Sequence, residues 1–178
     1  MTLYEKTLRS ETLFTGHIIK VRLDTVQLPN GKTATREVVN HPGGVGILAL
    51  DEKNNVLTVN QYRYVYGQTL LEIPAGKLEP GEDPYAAALR ELKEETGATT
   101  DKLVSLGEIF PTPGFCSEII RLYLARNLTF GEMAPDEDEF LEVQRVPFSV
   151  MVDRVLQGEI SDAKTCVAIL KAKLLLGL

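Results

Sequence analysis

The chain has 178 residues, 44% of them hydrophobic and 25% charged, with a formal net charge of −6 and two cysteines. That is a normal globular balance and fits one domain, or one domain with an extension. The acidic balance argues against nucleic acid held by its backbone, and no long apolar run or N-terminal apolar leader points to a membrane or to export; Cys116 and Cys166 stand far apart and in no metal-ligand spacing, which suits a reduced, cytoplasmic protein.

In chain order, residues 1 to 12 are polar and mixed and read as a loosely held start. Phe14 to Gln27 alternates apolar and polar, which predicts a half-buried strand. Pro29-Asn30-Gly31-Lys32 carries the Asn-Gly hairpin cue, and Thr33 to Val39 returns as its partner. His41-Pro42-Gly43-Gly44 is a loop and a boundary. Residues 1–40 therefore form a small β extension, too small to be stable alone; it must pack on the rest, 41–178, or on a second copy of the chain. His17 and His41 share no motif and read as structural or surface residues.

Val45 to Leu50 is a continuous apolar run, a buried strand, followed by a turn at Asp51–Asn55 and a partner strand at Val56 to Tyr62. Thr69 to Ile73 is a short strand running into Pro74-Ala75-Gly76. Leu103 to Phe110 and Ile119 to Ala125 read as strands around the stiff loop Pro111-Thr112-Pro113-Gly114-Phe115-Cys116-Ser117-Glu118. Residues 129 to 139 form an acidic loop, Phe140 to Val146 alternates again, and Ser149 to Gln157 and Asp162 to Leu176 are helices. Strands, a helix, strands and closing helices predict an α+β fold or an α/β sandwich.

The densest chemistry lies between Gly76 and Ala98, with six carboxylates in 23 residues, five of them Glu. Asp83 is a good N-cap, Pro84 a good first helical residue, and Gly97 a natural stop. On a 3.6-residue period Tyr85, Ala88, Leu89 and Leu92 make the buried stripe. Glu91 and Glu95, four apart, stack one above the other at its flank; Glu94 points a quarter-turn further toward solvent, within reach of Arg90. Like charges one turn apart repel by a few tenths of a kcal/mol on an isolated helix. A hard divalent cation such as Mg²⁺ reverses that sign. A solvated acidic helix face is the plain alternative, but it leaves the tight loop before the helix, Gly76 to Gly81 with its Pro80-Gly81 turn, without a role.

Gly76, Glu82, Arg90, Glu91, Leu92, Glu94, Glu95, Gly97 and Ala98 stand at the spacing of the Nudix box, and the chain resembles the Nudix hydrolase family. Ala98 takes the place of a bulkier aliphatic residue. The resemblance implies a mixed sheet between helices (an α/β/α sandwich) and Mg²⁺ or Mn²⁺ held over a pyrophosphate. It implies Glu91 and Glu95 as metal ligands, Glu94 as a ligand or a carboxylate behind the ligands, and the Ala75 carbonyl as a further one. Glu82 and Arg90 are expected to brace loop against helix, with Gly76 and Gly97 as structural members of the motif.

Pro113, fifteen residues after Ala98 and inside PTPGFCSE, resembles the mark of the ADP-ribose pyrophosphatase branch. That implies cleavage of ADP-ribose to AMP and ribose 5-phosphate, with Glu118 facing the terminal ribose and Arg36 and Arg63 contacting the diphosphate. Glu72 reads as structural. The cluster Asp136-Glu137-Asp138-Glu139 matches the late loop of such enzymes, which implies Glu137 as general base and Glu139 as a further ligand. The same resemblance implies a homodimer through the N-terminal β extension. Other nucleoside diphosphate compounds such as GDP-mannose, nucleoside triphosphates, a non-catalytic nucleotide sensor and a purely structural acidic protein are the alternatives.

Overall fold

The computed structural model describes residues 3–135 and 139–177. They fall into two units, one made of the chain up to Gly43 together with Phe110–Ile119, the other of Gly44–Ile109 and Ile120 onward. The first unit is a three-stranded antiparallel sheet in the order β1 (Lys6–Thr15), β2 (Lys20–Gln27), β3 (Thr33–Asn40). The Asn-Gly turn closes β2 onto β3, with the Lys32 N–H on Asn30 Oδ1 at 3.0 Å and Gly31 at φ 84. The loose start and the long strand from Phe14 both need correction. The chain turns at Gly16, whose N–H bonds the Ile19 carbonyl at 2.9 Å, and residues 6–15 pair antiparallel with β2. Every residue of β1 is exposed, so it has no buried face and no alternation for a sequence reading to detect.

The second unit holds the larger core. A four-stranded mixed sheet runs β7 (Ala75–Lys77), β4 (Gly44–Ala49), β10 (Ile120–Ala125), β9 (Leu103–Ile109), with β4 and β10 parallel. A three-stranded antiparallel sheet runs β12 (Leu141–Pro147), β5 (Asn55–Arg63), β6 (Gln68–Glu72). A two-residue pairing joins β8 (Ala98–Thr99) to β11 (Thr129–Phe130). The helices are α1 (Pro84–Thr96), α2 (Phe148–Leu156) and α3 (Ala163–Leu176).

β4 is buried throughout because it is covered on both faces. Val45, Ile47 and Ala49 pack with Ala87, Ala88 and Leu92 of α1. Leu48 packs on the other side with Met151 and Val152 of α2 and Ile169 and Ala172 of α3. This is the expected α/β/α sandwich. The turn after β4 is set by Asp51, whose Oδ1 accepts the N–H groups of Lys53 and Asn55 at 2.8 Å. Among the described residues no helix is long and apolar enough to cross a membrane.

Candidate active site

α1 begins as its sequence dictates. Asp83 Oδ1 accepts the N–H groups of Tyr85 and Ala86, both at 3.1 Å, and Pro84 occupies the first turn. Gly97 ends the helix at φ 67, in the left-handed region a glycine enters without strain. The buried face differs from the apolar stripe drawn on the sequence. It holds Ala87, Ala88, Glu91, Leu92, Glu95 and Thr96, whereas Tyr85 is exposed and Leu89 half-buried. Tyr85 lies at the edge, accepting the Leu103 N–H at 3.1 Å and meeting Tyr123 edge-on.

Glu91 and Glu95 are thus interior carboxylates, 7% and 1% exposed. Glu95 Oε2 accepts the Ala75 N–H at 3.0 Å. Glu91 lies across Gly76, where a Cβ would stand 1.9 Å from its Oε1. Only a glycine at position 76 leaves room for that carboxylate. β7 therefore carries two devices, an N–H for one glutamate and a bare Cα for the other.

The loop before the helix is tied to it by Arg90. Its Nε and Nη2 hold Glu82 at 2.9 and 3.0 Å, and its Nη1 reaches Glu91 at 2.9 Å and Glu94 at 2.8 Å. A bidentate guanidinium–carboxylate pair is the strong form of this bond. Arg90 braces loop against helix, as its place in the motif implies, and also aims two of the three helix glutamates. Glu94 stands on the more open side.

Do these residues suit a divalent cation? Burial pushes Glu91 up, with Glu94 and Glu139 adding to the rise and Arg90 opposing it. Burial pushes Glu95 up to about 8, the Ala75 N–H opposes, and Glu91 and Glu139 raise it further. Carboxylates that resist ionisation because they are buried and have acidic neighbours are relieved by a cation beside them. Among the described residues no three His, Cys, Asp or Glu are grouped closely enough to hold an ion as they stand. Mg²⁺ sites are commonly completed by water and substrate phosphates, so one or two carboxylates suffice. The donor set is all oxygen and acidic, and it fits. Glu91 and Glu95 are the groups that could hold the ion, and Glu94, Glu139 and the Ala75 carbonyl are the further donors that the motif implies. Glu139 is the one member of the late acidic cluster within the described residues; its charge bears on both helix glutamates. Glu137 lies outside the described residues.

Behind the site lies a charge network that sequence reasoning missed. Arg63 holds both oxygens of Glu72 at 2.7 Å. Glu72, 1% exposed, also accepts from Lys164, 7% exposed, whose ammonium reaches Asp162 at 3.0 Å. Burial raises Glu72, but the bonds from Arg63 and Lys164 outweigh it and hold the carboxyl below its ordinary value. Next in the chain, Thr165 Oγ1 accepts the Ile73 N–H at 2.9 Å. The start of α3 thereby pins the strand that leads into Pro74 and Ala75. The signal was a lysine in the first turn of a helix, where the helix dipole disfavours a cation unless it has partners.

In the first unit, Arg36 is exposed and forked onto Glu5 at 3.0 and 2.6 Å. Glu118 lies 3.6 Å from His41 Nδ1, which itself accepts the Gly43 N–H at 3.1 Å. Ser117 Oγ accepts the His41 N–H at 3.0 Å, fixing the loop that carries Glu118.

Residues 40–165 match the family described as NUDIX domain, and residues 5–39 match the nucleoside diphosphate sugar hydrolase N-terminal domain. The chain is 44% identical over 170 residues to an ADP-ribose pyrophosphatase of Bacillus subtilis, covering 94% of this chain and 92% of the other. It is 42% identical over 167 residues to a methanol dehydrogenase activator of Bacillus methanolicus, covering 93% and 90%. The crystal structure of an ADP compounds hydrolase superposes with a TM-score of 0.87 at 23% identity, covering 99% of this chain and 97% of that one, and shows the same fold. With the box helix, its braced loop and its interior glutamates in place, the chain belongs to the Nudix hydrolase family.

Proposed function

We propose that the chain hydrolyses the pyrophosphate bridge of ADP-ribose to AMP and ribose 5-phosphate, using Mg²⁺ or Mn²⁺. The observation that carries the reaction class is the pair of interior carboxylates, Glu91 and Glu95, set against β7 on the box helix. The substrate rests on the likeness to an ADP-ribose pyrophosphatase over nearly the whole chain and on Pro113 and Glu118 in the PTPGFCSE loop.

When bound, a divalent ion neutralises phosphate oxygens and lowers the pKa of water. The protein's own groups do the rest. Ala75 N–H and Arg90 fix the directions of Glu95 and Glu91. Water's oxygen joins one phosphorus, the bridging oxygen leaves with the other phosphate, and Glu137 takes the water's proton. Arg36 and Arg63 are the forks proposed for the diphosphate; each also pairs with a carboxylate, Glu5 or Glu72. Glu118 is assigned to the terminal ribose.

We place the enzyme in the cytoplasm, with Cys116 and Cys166 free, and as a homodimer through the first unit. The test is product analysis on ADP-ribose, NADH, diadenosine polyphosphates, GDP-mannose and deoxynucleoside triphosphates, each with Mg²⁺ and with Mn²⁺. AMP and ribose 5-phosphate from ADP-ribose at the highest kcat/KM is the expected result, and preference for another compound overturns the substrate. Glu91→Gln should lower turnover by about a hundredfold or more with the fold intact. Unchanged turnover would remove the helix as the ion site.

A further inference from the structure

The segment after Leu128 runs along the end of the box helix. Thr129 and Phe130 pair with Thr99 and Ala98, and the two threonine hydroxyls meet at 2.7 Å. The Gly131 N–H then bonds the Gly97 carbonyl at 2.8 Å, and the Ala134 N–H bonds the Glu94 carbonyl at 3.0 Å. Both acceptors lie at the helix end, where carbonyls have no partner within the helix. The approach is close enough to fix the residue type. A Cβ on Gly97 would stand 2.4 Å from the Gly131 carbonyl oxygen and 3.2 Å from the carbonyl carbons of Gly131 and Glu132. A Cβ on Gly131 would meet nothing nearer than 3.9 Å. Ala98, small where a bulkier aliphatic residue was expected, is fully buried under the same pairing.

We propose that Gly97 is a positioning residue: its bare Cα lets residues 129–135 dock on the last turn of α1, and this docking holds in place the turn that carries Glu94 and Glu95. Gly97 then has two tasks, ending the helix and admitting the loop. The second is separable, because Gly177 ends α3 at the same φ of 67 with nothing within 4 Å of its Cβ position. The inference rests on the reading of Glu91, Glu94 and Glu95 as ion-binding groups.

Four variants test it. Gly97→Ala adds the Cβ at the contact, and Ala134→Pro removes the exposed loop's second N–H. Gly131→Ala and Gly177→Ala are the controls, the latter carrying the same backbone strain without the contact. Three quantities are read: hydrogen exchange of the Gly131 amide in the ion-free protein, Mn²⁺ affinity by its EPR signal without substrate, and kcat. In Gly97→Ala the Gly131 amide should exchange freely. In Gly97→Ala and Ala134→Pro, Mn²⁺ affinity should fall about tenfold and kcat about a hundredfold. Both controls should keep wild-type values. Wild-type affinity and kcat in Gly97→Ala and Ala134→Pro would overturn the proposal, as would free exchange of Gly131 in the wild type. Losses in Gly177→Ala equal to those in Gly97→Ala would reduce the effect to helix ending and also overturn it. A wild type with a protected Gly131 amide and normal Mn²⁺ affinity but no action on ADP-ribose would support the docking and sink the substrate assignment alone.

Discussion

Two residues decide whether the carboxylate pair exists. Gly76 makes room for Glu91, so Gly76→Ala must push that carboxylate out of its place, and no backbone strain confuses the result because position 76 has no positive φ. The expected outcome is a fall in kcat/KM of about a hundredfold, the scale of a 1 Å misplacement, with little change in thermal stability. Steady-state kinetics beside a thermal melt check it. Glu95 gives the pH dependence. Burial and its acidic neighbours raise its folded pKa to about 8, so between the ordinary carboxylate range and that value the folded state binds the extra proton. Its contribution to stability is complete below the unfolded pKa and is lost as pH rises through about 8. In EDTA the melting temperature should drop between pH 6 and pH 9, and Glu95→Gln should flatten that drop. Added Mn²⁺ should stabilise more at pH 9 than at pH 6, because it binds the ionised pair. The identity and spacing of these residues were legible in the sequence. Their burial was not, since a stripe drawn through apolar letters runs along Tyr85 and Leu89, while the real interior face turns toward β7 and takes in two glutamates.

Among the elements, the strands with a buried face and all three helices were readable from period and caps. β1, β7, β8 and β11 were not; β7 falls on Ala75 to Lys77, where Gly76 read as the start of a tight loop. β1 buries nothing, and the two-residue pairing of β8 with β11 has no pattern of its own, being selected by the close approach at Gly97. The start of α3 was readable as a helix but not as a clamp. Lys164 holds Glu72 and Thr165 holds Ile73, with Asp162 accepting from both, so α3 fixes the strand end from which β7 departs. Removing one partner of a buried ion pair costs more than the pair contributes, because the other charge is left alone. Glu72 keeps its fork from Arg63, so Lys164→Met should destabilise by about 1–3 kcal/mol in urea unfolding, less than a fully stranded charge would cost. The double variant Lys164→Met, Glu72→Gln should recover part of that loss. Because Glu72 is held below its ordinary pKa, its contribution is present above the unfolded value and is lost as pH falls through the folded one. The Lys164→Met deficit should accordingly shrink in acid. A deficit that persists unchanged after Glu72 is neutralised would show that Lys164 acts by packing alone.

At the scale of the molecule, the first unit is the piece whose stability the sequence left open, and its surface says why. Its β1 is exposed along its whole length, with Leu8, Leu13 and Phe14 on it and Ile18 just beyond. An exposed apolar edge strand invites pairing with other chains, and such edges are ordinarily blunted. Here two register shifts, between Thr7 and Arg9 and between Thr12 and Phe14, leave Leu8 and Leu13 without cross-strand partners. A bulged edge cannot extend a flat ladder indefinitely. Burial by a two-fold contact with a second copy satisfies the same apolar residues and closes on itself. The expected species is thus a dimer, not a filament, and sedimentation velocity at micromolar concentration should show it. Leu13→Lys with Phe14→Lys, placed on an exposed strand far from the second unit's core in sequence, should yield a monomer whose Mn²⁺ affinity is retained. A wild type that sediments as a monomer would remove the dimer. A double variant that stays dimeric would move the contact elsewhere on the chain and leave the apolar row on β1 without its assigned partner.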